Sequence, residues 1–144
     1  MNILNKKTGF TLMELMIVVL VISVLAAAGV PYYRDHIERQ KTALGVTNLR
    51  MIADSVERYM ALHSETVPTN LALLDADIDR SKLSADHTSY DDGNFTFSVQ
   101  DNAVVGVRNT GEYKISFSLD DNSELSCEGI TDRDICTDKL GFSD

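Results

Sequence analysis

From Phe10 to Val30 the chain reads FTLMELMIVVLVISVLAAAGV, an apolar run of 21 residues whose only charge is Glu14. Wound as a helix at 1.5 Å per residue, that run spans about 31 Å, close to the roughly 30 Å of a bilayer's hydrocarbon core. Beyond Pro31 the pattern turns amphipathic. Leu49, Ile52, Ala53, Val56, Tyr59, Met60 and His63 recur at helical spacing, while Arg50, Asp54, Glu57 and Arg58 fall on the opposite side. The pattern predicts helix over 10–64, with a membrane-crossing half at 10–30 and an amphipathic half at 31–64. Pro31 lacks an amide proton and clashes with the carbonyl four residues back, so a kink or local break is expected there. Gly45 weakens the helix by about 1 kcal/mol relative to Ala, which predicts a bend or a close approach. A continuous helix of this length would be about 80 Å long, more than a domain of this size needs, and suits packing among other rods.

The remainder reads as a small β-rich head. Thr66-Val67-Pro68-Thr69-Asn70 ends the helix by turn chemistry, and Leu71 to Leu74 forms a short helical or irregular piece. Residues 65–94 are a polar, acidic connection from which Ile78 and Leu83 dip into the core. Over 95–127, Phe95, Phe97 and Val99 alternate, Val105 and Val107 continue after Asp101-Asn102, and Tyr113, Ile115, Phe117 and Leu119 alternate after Asn109-Thr110-Gly111. This is an antiparallel meander, with Asp120-Asp121-Asn122-Ser123 as a further turn and Glu124 to Cys127 as a short fourth strand. Its apolar face needs a cover, which the stripe from Leu49 to Met60 supplies. The expected class is α+β: a long N-terminal helix packed on a small antiparallel sheet, with residues 128–144 as a C-terminal loop region.

Charge and composition narrow the function. The formal charge is −9, and it becomes −11 without Lys6 and Lys7 of the first nine residues. Such a body repels phosphate backbones and anionic surfaces, so no nucleic-acid partner is expected. His36, His63 and His87 are widely separated and belong to no metal or triad pattern, and there is no Walker loop or dinucleotide fingerprint. No catalytic residue and no cofactor is predicted. Asp91-Asp92 beside Gly93 reads as a turn. Asp75, Asp77 and Asp79 alternate like a calcium loop, but Arg80 stands where that loop requires Gly and Asp86 replaces its bidentate Glu. Solvated loop charge is the better reading, and no metal site is assigned, although Asp120, Asp121, Glu128, Asp132, Asp134 and Asp138 concentrate acid near the tail.

Lys6 and Lys7 precede the apolar run, whereas Arg34, Asp35, His36, Glu38 and Arg39 after it nearly cancel. The positive-inside rule then keeps the N-terminus in the cytoplasm and exports the body, with Tyr32 and Tyr33 at the far interface. In an exported protein Cys127 and Cys136 are expected to pair, closing a loop worth roughly 2.7 kcal/mol in the chain-entropy model. A cleaved secretory signal, with Ala26-Ala27-Ala28 as its processing site, is disfavoured because the apolar run exceeds the usual 7 to 15 residues and carries a carboxylate. A plain single-span anchor explains the length and the lysines but leaves Glu14 without a purpose. An acidic side chain costs roughly 2.5 to 3.5 kcal/mol at the centre of a membrane helix, less near its edge, and needs a named partner.

Thr8-Gly9-Phe10-Thr11-Leu12-Met13-Glu14-Leu15 after a short basic leader, then an apolar run to Pro31-Tyr32, resembles the class III signal of type IV pilins and type II secretion pseudopilins. The resemblance covers residues 1 to about 60 and implies a leader at 1–9, removed by an inner-membrane prepilin peptidase between Gly9 and Phe10, with N-methylation of Phe10. It implies that Glu14 faces the positive N-terminus of a neighbouring subunit's Phe10 and keys the register. It also implies that the stretch before Pro31, including Gly29, can unwind when subunits leave the bilayer. Where the family often has a mid-helix glycine, this chain has Ser23. The implied role is a structural subunit of a type IV pilus-like filament, assembled from the inner membrane onto the cell surface with other subunits. A membrane platform and an assembly ATPase acting indirectly would be its further partners. The alternatives are a pseudopilin in a periplasmic pseudopilus and a single-span anchored sensor or binding module.

Overall fold

The computed structural model describes residues 9–64, 66–120 and 124–142. Helix α1 runs from Leu12 to Leu62, 51 residues, and its helical hydrogen bonding continues through Gly29 and Pro31. By contacts the chain divides at His36/Ile37 into two units. In the first, every described residue from Gly9 to His36 is exposed.

The second unit, Ile37 to Asp144, contains the rest of α1 and a five-stranded antiparallel sheet in the order β1-β2-β3-β4-β5. The strands are β1 Ser89–Asp91, β2 Phe95–Gln100, β3 Ala103–Arg108, β4 Tyr113–Ser118 and β5 Leu125–Gly129. Leu49, Ile52, Ala53 and Val56 of α1 are buried in one core with Phe95, Phe97, Val104, Tyr113 and Ile115 of the sheet. Tyr59 and Met60 continue the stripe half-buried. His63, expected on that stripe, is exposed instead and stacks on Tyr59 with ring centroids 4.0 Å apart. The helix ends at Leu62, one residue before His63.

The connection from the helix to β2 carries more structure than its polarity suggests. It holds 3₁₀ turns at Leu71–Leu73 and Arg80–Lys82, then strand β1, which pairs with β2. Three residues are too few for an alternation signal. Ile78 and Leu83 do reach the core, and Leu83 bridges to Tyr90. Asp91 and Asp92 form the expected turn: Asp91 accepts from the Gly93 N–H and Asp92 from Asn94 and Phe95, while Gly93 supplies a φ of 96°. Of the turn predicted at 120–123, only Asp120 lies within the described residues.

Strand β3 faces the other way from the expectation. Its inward residues are Val104, Gly106 and Arg108, while Val105 and Val107 look outward and are half-buried. The two-residue turn at Asp101-Asn102 places Gln100 opposite Ala103, so Val99 pairs with Val104, Phe97 with Gly106 and Phe95 with Arg108. Since opposed residues share a face, hairpin parity overrides the valine pattern.

Two glycines make this core possible. A Cβ on Gly106 would lie 2.8 Å from Phe97, and one on Gly45 would lie 2.7 Å from Cε2 of Phe95. Gly45 is therefore a close approach of helix to sheet. Phe95 is fully buried against Phe97 and Tyr113 and cannot swing aside. Gly45→Ala gains about 1 kcal/mol of helix propensity but overpacks the core at a cost of typically 1 to 3 kcal/mol. Denaturant unfolding of the full chain in mild detergent should show it destabilised, with partial rescue by Phe95→Leu. Equal or greater stability of the single variant would refute the close-packing role.

At the start of this unit a polar cluster joins helix to sheet. Arg108, only 5 % exposed, donates from Nε to Glu38 Oε1 (2.5 Å) and from Nη2 to Glu38 Oε2 (3.2 Å). Its Nη1 reaches the Asn94 carbonyl at 2.6 Å, and the guanidinium lies 5.5 Å from the Phe95 ring centroid. The Tyr113 hydroxyl donates to Glu38 Oε1 at 3.0 Å and lies 2.6 Å from Thr42 Oγ1. Burial raises the affinity of the Glu38 carboxyl for its proton, yet hydrogen bonds from Arg108 and Tyr113 and the charges of Arg108 and Lys41 leave its pKa lowered. Burial pushes the Tyr113 hydroxyl up to about 12.

Candidate functional site

The residues singled out for processing and assembly gather at the start of α1. Phe10 is 88 % exposed, and a Cβ on Gly9 would meet no atom within 4 Å. Among the described residues, none packs closely enough against Gly9 to require a glycine there. Residues 1–8, including Lys6, Lys7 and Thr8, lie outside the described residues.

Thr11 and Glu14 form a capping box. The Glu14 N–H donates to Thr11 Oγ1 (3.2 Å), while Glu14 Oε2 accepts from the Thr11 N–H (2.8 Å) and hydroxyl (3.0 Å). Two amides that a helix start leaves unpaired are thus satisfied reciprocally. Glu14 has a local partner in the isolated subunit, and the T-x-x-E spacing before an apolar run is the signal that finds Thr11.

From Phe10 to Val30 the chain presents its apolar side chains without burial, at 48 to 88 % exposure for the large ones. Helix α1 is the described helix long and apolar enough to cross a membrane. The Ser23 hydroxyl donates to the Leu20 carbonyl at 2.7 Å, so this polar residue is satisfied within the helix. Gly29 has open space where a Cβ would stand. Pro31 offers no N–H, which leaves the ladder one bond short beside it.

At the other end of the chain Cys127 of β5 is joined to Cys136 by a disulfide. Cys136 and Ile135 are buried in a π-helical turn, Ile135–Lys139. The Arg39 Nε donates to the Lys139 carbonyl at 2.5 Å, tying the tail to α1. Reducing the bond frees a loop of about ten residues and should lower stability by about 2.7 kcal/mol in the chain-entropy model. Unfolding in denaturant with and without reductant measures this, and an unchanged midpoint would remove the stapling role.

Among the described residues no group of three or more His, Cys, Asp or Glu is placed to hold a metal ion. Two of the three aspartates at 75–79 are otherwise engaged. Asp75 accepts from Ser55 and, through both oxygens, from Arg58 at 2.8 and 2.9 Å, which holds its pKa at about 2. Asp79 caps the turn beginning at Arg80 through the Ser81 N–H. In the tail, Glu128 pairs with Lys114 and Asp132 lies near Lys139.

The family model described as the prokaryotic N-terminal methylation motif matches residues 4–30. The chain is similar to the type IV major fimbrial protein FimA of Dichelobacter nodosus, 56 % identical over 39 residues, which is 27 % of this chain and 24 % of that protein. It is 46 % identical over 46 residues to fimbrial protein Q of Moraxella bovis, covering 32 % and 29 % of the two chains. A third relative is the type II secretion system core protein G of Aeromonas hydrophila, 27 % identical over 91 residues, 63 % of each chain. The match thus spans about a quarter of the fimbrial relatives' length. No solved structure gives a significant match.

Proposed function

We propose that this chain belongs, by its N-terminal segment and α+β head, with the type IV pilins and pseudopilins, and that it is a subunit of a type IV pilus-like surface filament. That family consists of structural subunits rather than enzymes. The observation that carries the reading is a fully exposed apolar helix that begins with a methylation motif and holds a carboxylate four residues after Phe10. A helix apolar on every side is at rest only in lipid or among like helices. The first environment is the inner membrane, with the N-terminus cytoplasmic, and the second is a bundle of identical rods.

Assembly follows from the chemistry at residues 9–14. A prepilin peptidase cuts after Gly9 and frees the amino group of Phe10, and N-methylation leaves that amine cationic. A neighbouring subunit's Glu14 then exchanges its hydrogen bonds from Thr11 for this cation. Uncut subunits have no such cation at Phe10, so processing licenses polymerisation. The inner-membrane platform is the partner that would move subunits from lipid to filament.

The longer similarity to a type II secretion core protein supports a second reading, a pseudopilin. The two differ in where the polymer stands. N-terminal sequencing and intact mass of material sheared from the cell surface test both. A chain beginning at methylated Phe10 in that fraction is expected. The same processed chain confined to the periplasm would favour the pseudopilus, and an intact Met1 found only in membranes would sink both in favour of an anchored binding module.

A further inference from the structure

Asn94 stands apart by what its side chain does not do. The chain has eight asparagines, and Asn94 alone is followed two residues on by Ser or Thr, in Asn94-Phe95-Thr96. That spacing is the acceptor pattern for a glycan on the asparagine nitrogen of an exported protein. The other described asparagines all serve the fold. Asn48 donates to Asp92 at 2.8 Å, Asn70 caps the turn at Leu71, Asn102 donates to Asp120, and Asn109 links Thr96 to Asp91. The Asn94 carboxamide makes no hydrogen bond with a described residue. Among those residues no buried side-chain nitrogen or oxygen lacks a partner, so this carboxamide stands in solvent. Position 94 is also not among the described non-glycine residues with positive φ, so the backbone does not call for asparagine.

Asn94 is half-exposed in the turn between β1 and β2, directly after Gly93. Thr96 is on the outward face of β2, because Phe95 beside it is fully buried. An open hollow of about 550 Å³ adjoins the turn, with Ser81, Ser84, Ser89, Asp91, Gly93 and Thr96 among its lining. Its hydroxyls and carboxylate can donate to and accept from a sugar attached at the rim. The geometry also orders events. A transferase has to hold residues 94 and 96 together on a free piece of chain, whereas the folded head keeps Phe95 in the core and the Thr96 hydroxyl on Asn109. The acceptor is therefore open to an enzyme before β2 pairs with β3.

We propose that Asn94 is an N-glycan acceptor, modified on the exported side of the membrane before the head folds. The donor is an oligosaccharide joined through a diphosphate to a polyprenyl lipid, and a membrane-bound transferase is the partner. Asn94 Nδ2 attacks C1 of the first sugar. The C1–N bond forms, the C1–O bond to the diphosphate breaks, and the lipid diphosphate leaves. Nδ2 gives one proton to a base of the transferase, and nothing is oxidised or reduced. The proposal rests on the filament reading only for export of the head, and holds for a pilus, a pseudopilus or an anchored module alike.

The test is mass spectrometry of the full chain isolated from the cells that make it. Trypsin, cutting after Lys82 and Arg108, releases the peptide from Leu83 to Arg108. That peptide is expected to carry added sugar mass located on Asn94. Asn94→Gln should lose the whole increment. So should Thr96→Val, which leaves the acceptor in place, while Thr96→Ser keeps a hydroxyl and should keep the increment. Because transfer precedes folding, each variant is read on the peptide whether or not its head is stable. Finding this peptide only in unmodified form would overturn the proposal, as would an increment that persists in Asn94→Gln or Thr96→Val. The N-terminal peptide of the same digest reports whether the chain begins at Phe10, so a failure of the filament reading is seen separately.

Discussion

Glu14→Ala subunits are expected to insert in the membrane and be cut after Gly9, yet to yield filaments reduced by about a hundredfold or more. On the proposed reading, the physical cause is the neighbour's Phe10 amine. In a bundle of apolar helices it is a charge without water, and removing the partner of a buried charge costs about 3 to 5 kcal/mol. At 1.36 kcal/mol per tenfold, even the lower figure raises the subunit concentration needed for growth by more than a hundredfold. The Thr11–Glu14 capping box sets the opposing term. An N-cap hydroxyl contributes about 0.5 to 2 kcal/mol, so the local hydrogen bonds hold the carboxylate in the free subunit without outbidding a full cation in a dry bundle. Loss of the box in Glu14→Ala frays only the first turn, so insertion and cleavage should survive. Quantifying sheared filaments beside the processed subunit pool separates the two steps. Wild-type filament yield from Glu14→Ala would show that the carboxylate is not a register key.

The parts of this molecule that could be read from the sequence are those whose signal is local. The apolar run, the stripe from Leu49 to Met60 and the alternation in β2 and β4 each repeat several times, and all three stand in the structure as expected. The disulfide pair was legible because a chain with two cysteines has one internal pairing available. What escaped was set by long-range partners. Glu38, Thr42 and Arg108 are polar, so a 3.6-residue or two-residue period counts them as solvent-facing. They sit inside only because they satisfy one another across 70 residues of chain. The outward turn of Val105 and Val107 came from the length of one hairpin loop, which a reading of valines alone does not weigh. Gly106 was the available clue, since the large Phe97 opposite it needs an inward residue with no side chain.

The same buried pair makes the second large effect. Arg108→Met leaves Glu38 without its cation, and Glu38→Met leaves the more deeply buried Arg108 without its anion. The side chains are 5 % exposed for Arg108 and 24 % for Glu38. Each single variant should therefore lose stability, about 3 kcal/mol for Arg108→Met and nearer 5 kcal/mol for Glu38→Met. The double variant should be far less damaged than their sum, within about 1 kcal/mol of the wild type, because an apolar pair of similar volume has no charge to desolvate. The pH dependence follows from the direction of each shift. The Glu38 carboxyl is lowered by its partners against the cost of burial. Its contribution is therefore complete above its unfolded value and is lost as pH falls through the folded one. Tyr113, raised by burial to about 12, contributes fully below its unfolded value near 10 and loses that contribution as pH rises toward 12. Wild-type stability should accordingly fall at both ends, and the acid-side fall due to this pair should vanish in the double variant. Urea unfolding of the four full-length chains in mild detergent, repeated across pH, measures the coupling. Strictly additive single effects would show that Glu38 and Arg108 do not act as a pair.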